Sequence, residues 1–299
     1  MTSADRATVA RVAARLAAAG VPTPEVDARW LVEHVTALTG GCEGCGGALL
    51  DGLVARRAAR EPLQLVLGKT WFRELELRCA PGVFIPRPET EIVAGVAIGE
   101  ARRHATPVVA EPCTGTGAIA LSVAVEVPWA RVVATDLDPA AVDLARDNLA
   151  RVLAGEAGPP LLADQVEILH GDLLAPLRSP GAHQAWAPHL RGALDVLVSN
   201  PPYLPAADRG SWHPEVAAHD PDAALVGGED GHEVVDRLLR AAATWLRPGG
   251  LVVLEIDERR GPDARAAATA AGLVDVRIVV DLTGADRAVT ARRPDTAPR

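Results

Sequence analysis

The chain has one methionine and four cysteines in 299 residues, and one lysine, Lys69, among its 30 basic residues. The lysine scarcity points to a genomic composition habit and carries no functional information. Cys42, Cys45, Cys79 and Cys113 are too few and too scattered to form a disulfide framework in a chain of this length. Cys42-Glu43-Gly44-Cys45 has the spacing of half a zinc site, but no second pair lies nearby, so the stretch reads as a glycine-rich loop and no metal is expected. No apolar run approaches the ~20 residues needed to span a bilayer. The start, "MTSADRATVARVAARLAAAG", has arginines throughout and no uninterrupted apolar core, which argues against a secretory signal. A cytoplasmic protein without a membrane partner is expected.

What is present is a globular composition, with 48% hydrophobic and 23% charged residues, long enough for one large domain or two smaller ones. The net charge of −9 is uneven: residues 1–80 carry 10 basic against 9 acidic side chains, which leaves 20 against 30 for residues 81–299. An acidic second part is a poor partner for polyphosphate, so stable binding to bare nucleic acid is disfavoured.

Along the chain, Val9, Val12, Ala13, Leu16 and Ala17 recur at helical spacing before Gly20 and Pro22 stop the segment. Thr23 is placed to cap a second helix with Pro24 in its first turn and an apolar stripe of Val26, Trp30, Leu31, Val35 and Leu38. "ALLDGLVARRAAR" reads as a third. From "TWFRELELRCAPGVFIP" the pattern alternates, with Phe72, Leu75 and Leu77 against charged neighbours, then Pro81-Gly82 and a second apolar stretch, a hairpin signal. "IPRPETEIV" follows, extended around Arg87 by two X-Pro steps before a helix opens over Glu89 to Val93.

From residue 107 short apolar runs alternate with helical stretches: "VVAEP", helix 118–127, "RVVATD", helix 139–153, "VEILHGD", "LDVLVSN", helix 231–247, "GLVVLEI" and helix 262–271. This alternation means a parallel sheet covered on both faces. "DVRIVVDL" and "AVTARR" are separated only by "TGADR", so the last strand is expected antiparallel beside its neighbour.

In such a sheet, ligands lie beyond the carboxyl ends of the strands. The residues there are Glu111, Asp136, Asp172 and Asn200. In "CTGTGAIA", Gly115, Gly117 and Ala120 match the G-x-G-x-x-G/A spacing, and Asp136, 21 residues after Gly115, can accept from a ribose diol. The pair points to an adenosine-type ligand, nicotinamide or adenosyl. Asp172 in "HGDLL" is placed to accept from an exocyclic adenine amine. "SNPPY" then ends the fourth strand with an amide and two prolines. The Asn200 side-chain oxygen and the Pro201 carbonyl, held rigidly, could accept both N–H bonds of a substrate NH2.

"SNPPY" together with "EPLQLVLGKTWF", "GVFIPRPETEIV", "CTGTGAIALSVA", "TDLDPAAVDLARDNL", "HDPDAALVGGEDG" and "DLTGADRAV" resembles the HemK/PrmC family, the peptide chain release factor glutamine methyltransferases, over about residues 5–291. The resemblance implies an α/β fold: a seven-stranded Rossmann-like class I S-adenosylmethionine-dependent methyltransferase domain at 87–291, preceded by a helical release-factor-binding domain at 1–68 and a β-hairpin linker at 69–86. Residues 292–299 are expected to be a disordered tail. It further implies that Glu111, Cys113, Thr114, Gly115, Thr116, Gly117, Asp136, Asp172, Leu173 and Asn200 surround S-adenosylmethionine, which leaves as S-adenosylhomocysteine. Asn200, Pro201, Pro202 and Tyr203 would hold the substrate glutamine, with Asn200, Pro201 and Tyr203 catalytic. Glu111 and Cys113 stand where the family has Asp and Gly, and Arg73 where it tends to have a small residue. A monomer is expected. The alternatives are a relative acting on another protein or small-molecule amide, an adenine-amine methyltransferase of nucleic acid, and a module that binds without turnover.

Overall fold

The computed structural model describes residues 3–40, 46–178 and 190–295. The Cys42/Cys45 loop and residues 296–299 of the expected tail lie outside them. The described chain divides into two compact units.

The smaller unit comprises the chain up to Thr70, joined by Cys79–Pro81 and Trp212–His219. Its helices are α1 (Ser3–Ala18), α2 (Pro24–Leu38), α3 (Gly47–Ala58) and the short α4 (Leu63–Leu67). Val12, Leu16, Ala28, Leu31, Val35, Leu53 and Val54 form its core. The apolar stripe expected on α2 is out of phase. Leu31 and Val35 face inward with Ala28 and Val32, whereas Val26, Trp30 and Leu38 face outward, Leu38 being 63% exposed. Thr23 stands at the N-cap, but its hydroxyl donates to the Asp27 carboxylate (2.9 Å) and accepts no backbone N–H of the first turn. That carboxylate is needed elsewhere: it accepts from buried Arg57 of α3 at 2.6 Å. Arg57 also donates to Glu215, drawing Trp212–His219 into this unit, a join that nothing in the local sequence announces.

The hairpin has strands β1 (Lys69–Phe72) and β2 (Leu75–Arg78), of which Trp71–Arg78 belong to the larger unit. It turns at Arg73–Glu74, where Arg73 takes φ +51°, and not at Pro81-Gly82. The sequence carries the reason. Phe72 and Leu75 are three residues apart, so the period of two breaks between them. Arg73 is tied down by its backbone N–H to Glu91 (3.0 Å) and by its guanidinium to Glu126. Phe72, Leu75 and Leu77 enter the core of the α/β unit.

The remaining elements, in chain order, are α5 (Thr90–Ala101), β3 (Val108–Pro112), α6 (Ala118–Glu126), β4 (Arg131–Asp136), α7 (Pro139–Leu153), β5 (Val166–His170), β6 (Leu194–Ser199), α8 (Pro214–His219), α9 (Asp222–Leu225), α10 (Glu233–Trp245), β7 (Leu246–Glu255), α11 (Gly261–Ala270), β8 (Val274–Val280) and β9 (Asp286–Arg292). The seven-stranded sheet has the order β5-β4-β3-β6-β7-β9-β8. β9 runs antiparallel between β7 and β8, so the antiparallel ending expected from the short "TGADR" link is present. It also takes in Arg292, which pairs with Leu251 and donates to Glu100 at 2.7 Å. The ordered chain therefore runs past the start of the expected tail.

Alternate residues of each inner strand feed opposite cores. Val109, Val132, Val196 and Val198 pack on the side with α5, α6 and α7, and Ala110, Val133 and Leu197 on the side with α10 and α11. β6 is buried at every residue, so truncating Leu197 to Ala would cost about 2–5 kcal/mol. This rigid centre carries the two loops that follow β3 and β6. Because the order reverses between β3 and β6, their carboxyl ends open a crevice, the place where open α/β sheets bind ligands.

Candidate active site

A cavity of about 490 Å³ occupies that crevice, lined by residues of the α/β unit alone. The structure brings together Glu111, Cys113, Thr114, Gly115, Thr116, Asp136, Asp172, Leu173, Asn200 and Pro202 on its wall. Gly117, Pro201 and Tyr203 are not on it.

The loop after β3 is closed by Glu111 and fastened to the end of β4 through the Thr114 N–H, which donates to the Thr135 carbonyl at 3.0 Å. Glu111 is 2% exposed, and its Oε2 accepts from the Thr114 hydroxyl (2.7 Å) and the Ala120 N–H (2.8 Å), closing the loop onto the first turn of α6. Burial holds its proton affinity well above the usual carboxylate range, against those two hydrogen bonds. Cys113 and Gly115 both have positive φ, +60° and +56°. Glycine is comfortable there and cysteine is strained. Burial, with the Asp136 charge beside it, drives the Cys113 thiol pKa strongly upward, so the group is a protonated, unreactive wall atom. Gly117, expected on the ligand, instead starts α6. A Cβ there would meet Leu121 at 3.2 Å and Ala145 at 3.4 Å, so its role is helix packing.

Asp136 ends β4. Its Oδ2 accepts from the Gly115 N–H (2.8 Å) and its Oδ1 from the Asp138 N–H (3.0 Å). A carboxylate has about four acceptor positions, so capacity remains for a diol. Burial raises its pKa, offset by these backbone donors. Asp172 does not match its expected environment. Its side chain is 48% exposed, and Oδ2 accepts from the Arg237 guanidinium of α10, another wall residue.

Asn200, just past β6, turns its Nδ2 to the Thr90 hydroxyl (3.2 Å), leaving Oδ1 as the end that can meet a substrate N–H. Tyr203, expected against the substrate amide, is half-buried and off the cavity wall. Its phenol donates to Glu255 Oε1 at 3.1 Å, because the chain after Pro202 turns back under the end of β7. The loop is braced from outside: Leu204 pairs with Val226, the Leu204 N–H donates to the Leu225 carbonyl, and the Gly227 N–H to the Leu204 carbonyl. A Cβ on Gly227 would lie 2.5 Å from the Pro202 carbonyl oxygen, and one on Gly231 2.5 Å from that of Tyr203.

Sequence reasoning assigned no role to Phe84, Thr90, Leu137, Val226 or Arg237, which also line the cavity. Arg87 stacks over Phe84 (5.1 Å to the ring centroid) and pairs with Asp220. "IPRPETE" and "HDPDAALVGG" were both visible as unusual stretches; only their meeting in space gives them a purpose. Among the described residues no group of three His, Cys, Asp or Glu could hold a metal, and no helix is long and apolar enough to cross a membrane.

S-adenosylmethionine fits this wall. The Thr116 hydroxyl is buried without a partner among the described residues, a polar atom that a ligand can satisfy. A Cβ on Gly115 would meet nothing nearer than the Phe84 carbonyl at 4.0 Å, so the space over that backbone is open. Asp136 has acceptor capacity for the ribose, and Leu137 and Leu173 supply apolar surface beside it. Strand order, glycine loop and acidic strand end together define a class I methyltransferase that uses S-adenosylmethionine.

No family model matches the chain. It is 42% identical over 289 residues to a release factor glutamine methyltransferase of Deinococcus radiodurans, covering 94% of this chain and 95% of the relative. A protein of the same name from Mycolicibacterium smegmatis is 40% identical over 296 residues, covering 96% and 97%. A solved protein-(glutamine-N5) methyltransferase (release factor-specific) from Alicyclobacillus acidocaldarius aligns over 70% of this chain and 94% of its own at 25% identity, with a TM-score of 0.38. The chain belongs to the release factor glutamine methyltransferase family.

Proposed function

We propose that this protein transfers the methyl group of S-adenosylmethionine to the side-chain amide nitrogen of a glutamine in peptide chain release factors, the glutamine of their Gly-Gly-Gln motif. The observation that carries this reading is Asn200: it stands at the carboxyl end of β6 on the wall shared with the Cys113–Thr116 loop and Asp136, with Oδ1 as its outward end.

A carboxamide nitrogen is a weak nucleophile because its lone pair is delocalised into the carbonyl. Asn200 Oδ1 accepts an N–H bond of this amide, aims the lone pair along the cavity and stabilises the positive charge that grows on nitrogen. S-adenosylmethionine supplies an electrophilic sulfonium methyl. Thr116, Gly115 and Asp136 would hold the ligand's polar groups, and Phe84, Leu137 and Val226 give the cavity apolar surface. The methylated amide loses its extra proton to water, so no side chain needs to act as base.

The helical unit takes the part of gripping the release factor, supported by the outward Val26, Trp30 and Leu38 of α2. The enzyme works as a cytoplasmic monomer without stable binding to bare nucleic acid. The deciding experiment incubates purified release factors with the protein and S-adenosylmethionine and maps methylation by fragment mass spectrometry. A methyl group on the Gly-Gly-Gln glutamine, absent with Asn200→Ala, is the expected result. Cofactor binding without methylation of a folded release factor would transfer the assignment to a different amide.

A further inference from the structure

Asn200 is useful only one way round. An asparagine amide has two orientations of nearly the same shape, and flipping it would present an NH2 to the substrate NH2, donor against donor. Backbone rigidity from the two prolines places the side chain but does not choose between those orientations. The choice lies with Thr90, whose hydroxyl faces Asn200 Nδ2 at 3.2 Å and is 3% exposed. A hydroxyl has a single proton. If that proton is committed elsewhere, the oxygen can only accept, and Nδ2 must point to it.

We propose that Thr90 and Glu255 are positioning residues: Glu255 takes the Thr90 hydroxyl proton, and Thr90 in turn holds the Asn200 amide with Oδ1 toward the substrate. The inference rests on the substrate role given to Asn200 above. Glu255 ends β7, is 2% exposed, and binds Tyr203 through Oε1, while its Oε2 is buried without a hydrogen-bond partner among the described residues. The Thr90 hydroxyl lies beside this carboxyl and, with the Tyr203 phenol, lowers its pKa against the burial that raises it. The tetrapeptide Asn200 to Tyr203 is thus tied at both ends to one pair of buried groups. This accounts for a tyrosine, the only one in the chain, that does not touch the cavity.

The charged groups facing Glu255 are Arg287 from β9, which favours its ionised form, and Glu89, just before α5, which opposes it. Burial pushes the carboxyl up to about 7. Below that pH it takes up a proton, can donate instead of accept, and the Thr90 proton is released toward Asn200.

The test measures kcat, KM for the release factor and calorimetric S-adenosylmethionine affinity for the wild type, Thr90→Val, Thr90→Ser and Glu255→Gln. Thr90→Val should lower kcat on the order of 10- to 100-fold while cofactor affinity stays within about threefold, as for a misplaced reacting group. Thr90→Ser should restore most of it. Wild-type kcat should fall as pH drops through about 7, and Glu255→Gln should lack that limb. Equal kcat for Thr90→Val and wild type, or equal loss in the Ser and Val variants, would overturn the proposal. A wild type that methylates no release factor would instead refute the substrate assignment. The relay is then decided by the Asn200 side-chain amide resonance, identified by its loss in Asn200→Ala. Titration near pH 7 that Glu255→Gln abolishes supports it, and a flat resonance refutes it. The same resonance decides the matter should Thr90→Val not fold.

Discussion

The loops after β3 and β6 stand side by side on one cavity wall and differ in how far they depend on distant parts of the chain for their rigidity. Residues 111–117 are closed mainly by near neighbours, with Glu111 accepting from Thr114 and Ala120 and with Cys113, Gly115 and Gly117 at positive φ, and are fastened to adjoining elements by Thr135, Asp136, Asn148 and Ser199. Residues 200–203 have prolines for stiffness but take their orientation from distant parts of the chain, namely Thr90, Glu255 and the Leu225–Gly231 segment. The first arrangement suits a ligand of fixed shape that is met backbone-first. The second suits a glutamine delivered on another protein, where one side-chain oxygen must be held within a narrow range of direction. A loop closed by local hydrogen bonds tolerates change at a distance, whereas a loop braced from outside inherits the stability of every segment that braces it.

Breaking the braced loop at its chemical end should have the largest effect. Asn200→Ala is expected to lower methyl transfer on the order of 100- to 1000-fold, the usual consequence of removing a group aimed at developing charge, with cofactor affinity by calorimetry within a few-fold. Loss of both together would mean that Asn200 mainly holds the fold.

Glu255→Gln comes next and is read as stability against pH. The folded-state pKa stands above the ordinary 4.5, at about 7, so the stabilising contribution of this group is complete below about 4.5 and is lost as pH rises through about 7. The wild type should therefore lose up to about 3 kcal/mol across that window through this one group. Denaturant titrations at pH 5 and pH 8 should show a flatter profile in the variant.

Gly227→Ala tests the outside brace directly. The added Cβ would stand 2.5 Å from the Pro202 carbonyl and 2.9 Å from Tyr203 Cα, an overpacking expected to cost about 1–3 kcal/mol and to depress turnover more than cofactor binding. The opposite ranking would show the two loops to be one mechanical unit. The smallest effect belongs to the loop after β3: Cys113→Gly relieves a left-handed cysteine at φ +60° and should stabilise the protein by about 1 kcal/mol in thermal unfolding, with cofactor affinity unchanged or higher.

Much of the α/β unit was legible because its signals are local. The runs "VVAEP" and "RVVATD" are β3 and β4 residue for residue, and Pro139–Leu153 is α7 as expected. Apolar β-branched runs between helical stretches leave few alternatives when both faces must be covered. Elsewhere an apolar list was not enough. On α2, Trp30 and Leu31 are neighbours on the helix, and which faces inward depends on what packs there. On the site, Asp136 could be placed from its distance to Gly115, whereas the Asp172 environment could not, because its partner Arg237 is 65 residues away.

By itself the sequence determined the alternation of strands and helices, the family, and the set of strand ends from which a site could be built, since hydrophobic period, proline and glycine act within a few residues of where they stand. Only the tertiary structure decided that Tyr203 points away from the cavity, that Thr90 faces Asn200 across 110 residues, and that Gly227 must be small. Those facts depend on the direction of a single hydrogen bond or on a gap of a few ångströms between segments far apart in the chain, and neither quantity is encoded in any local pattern.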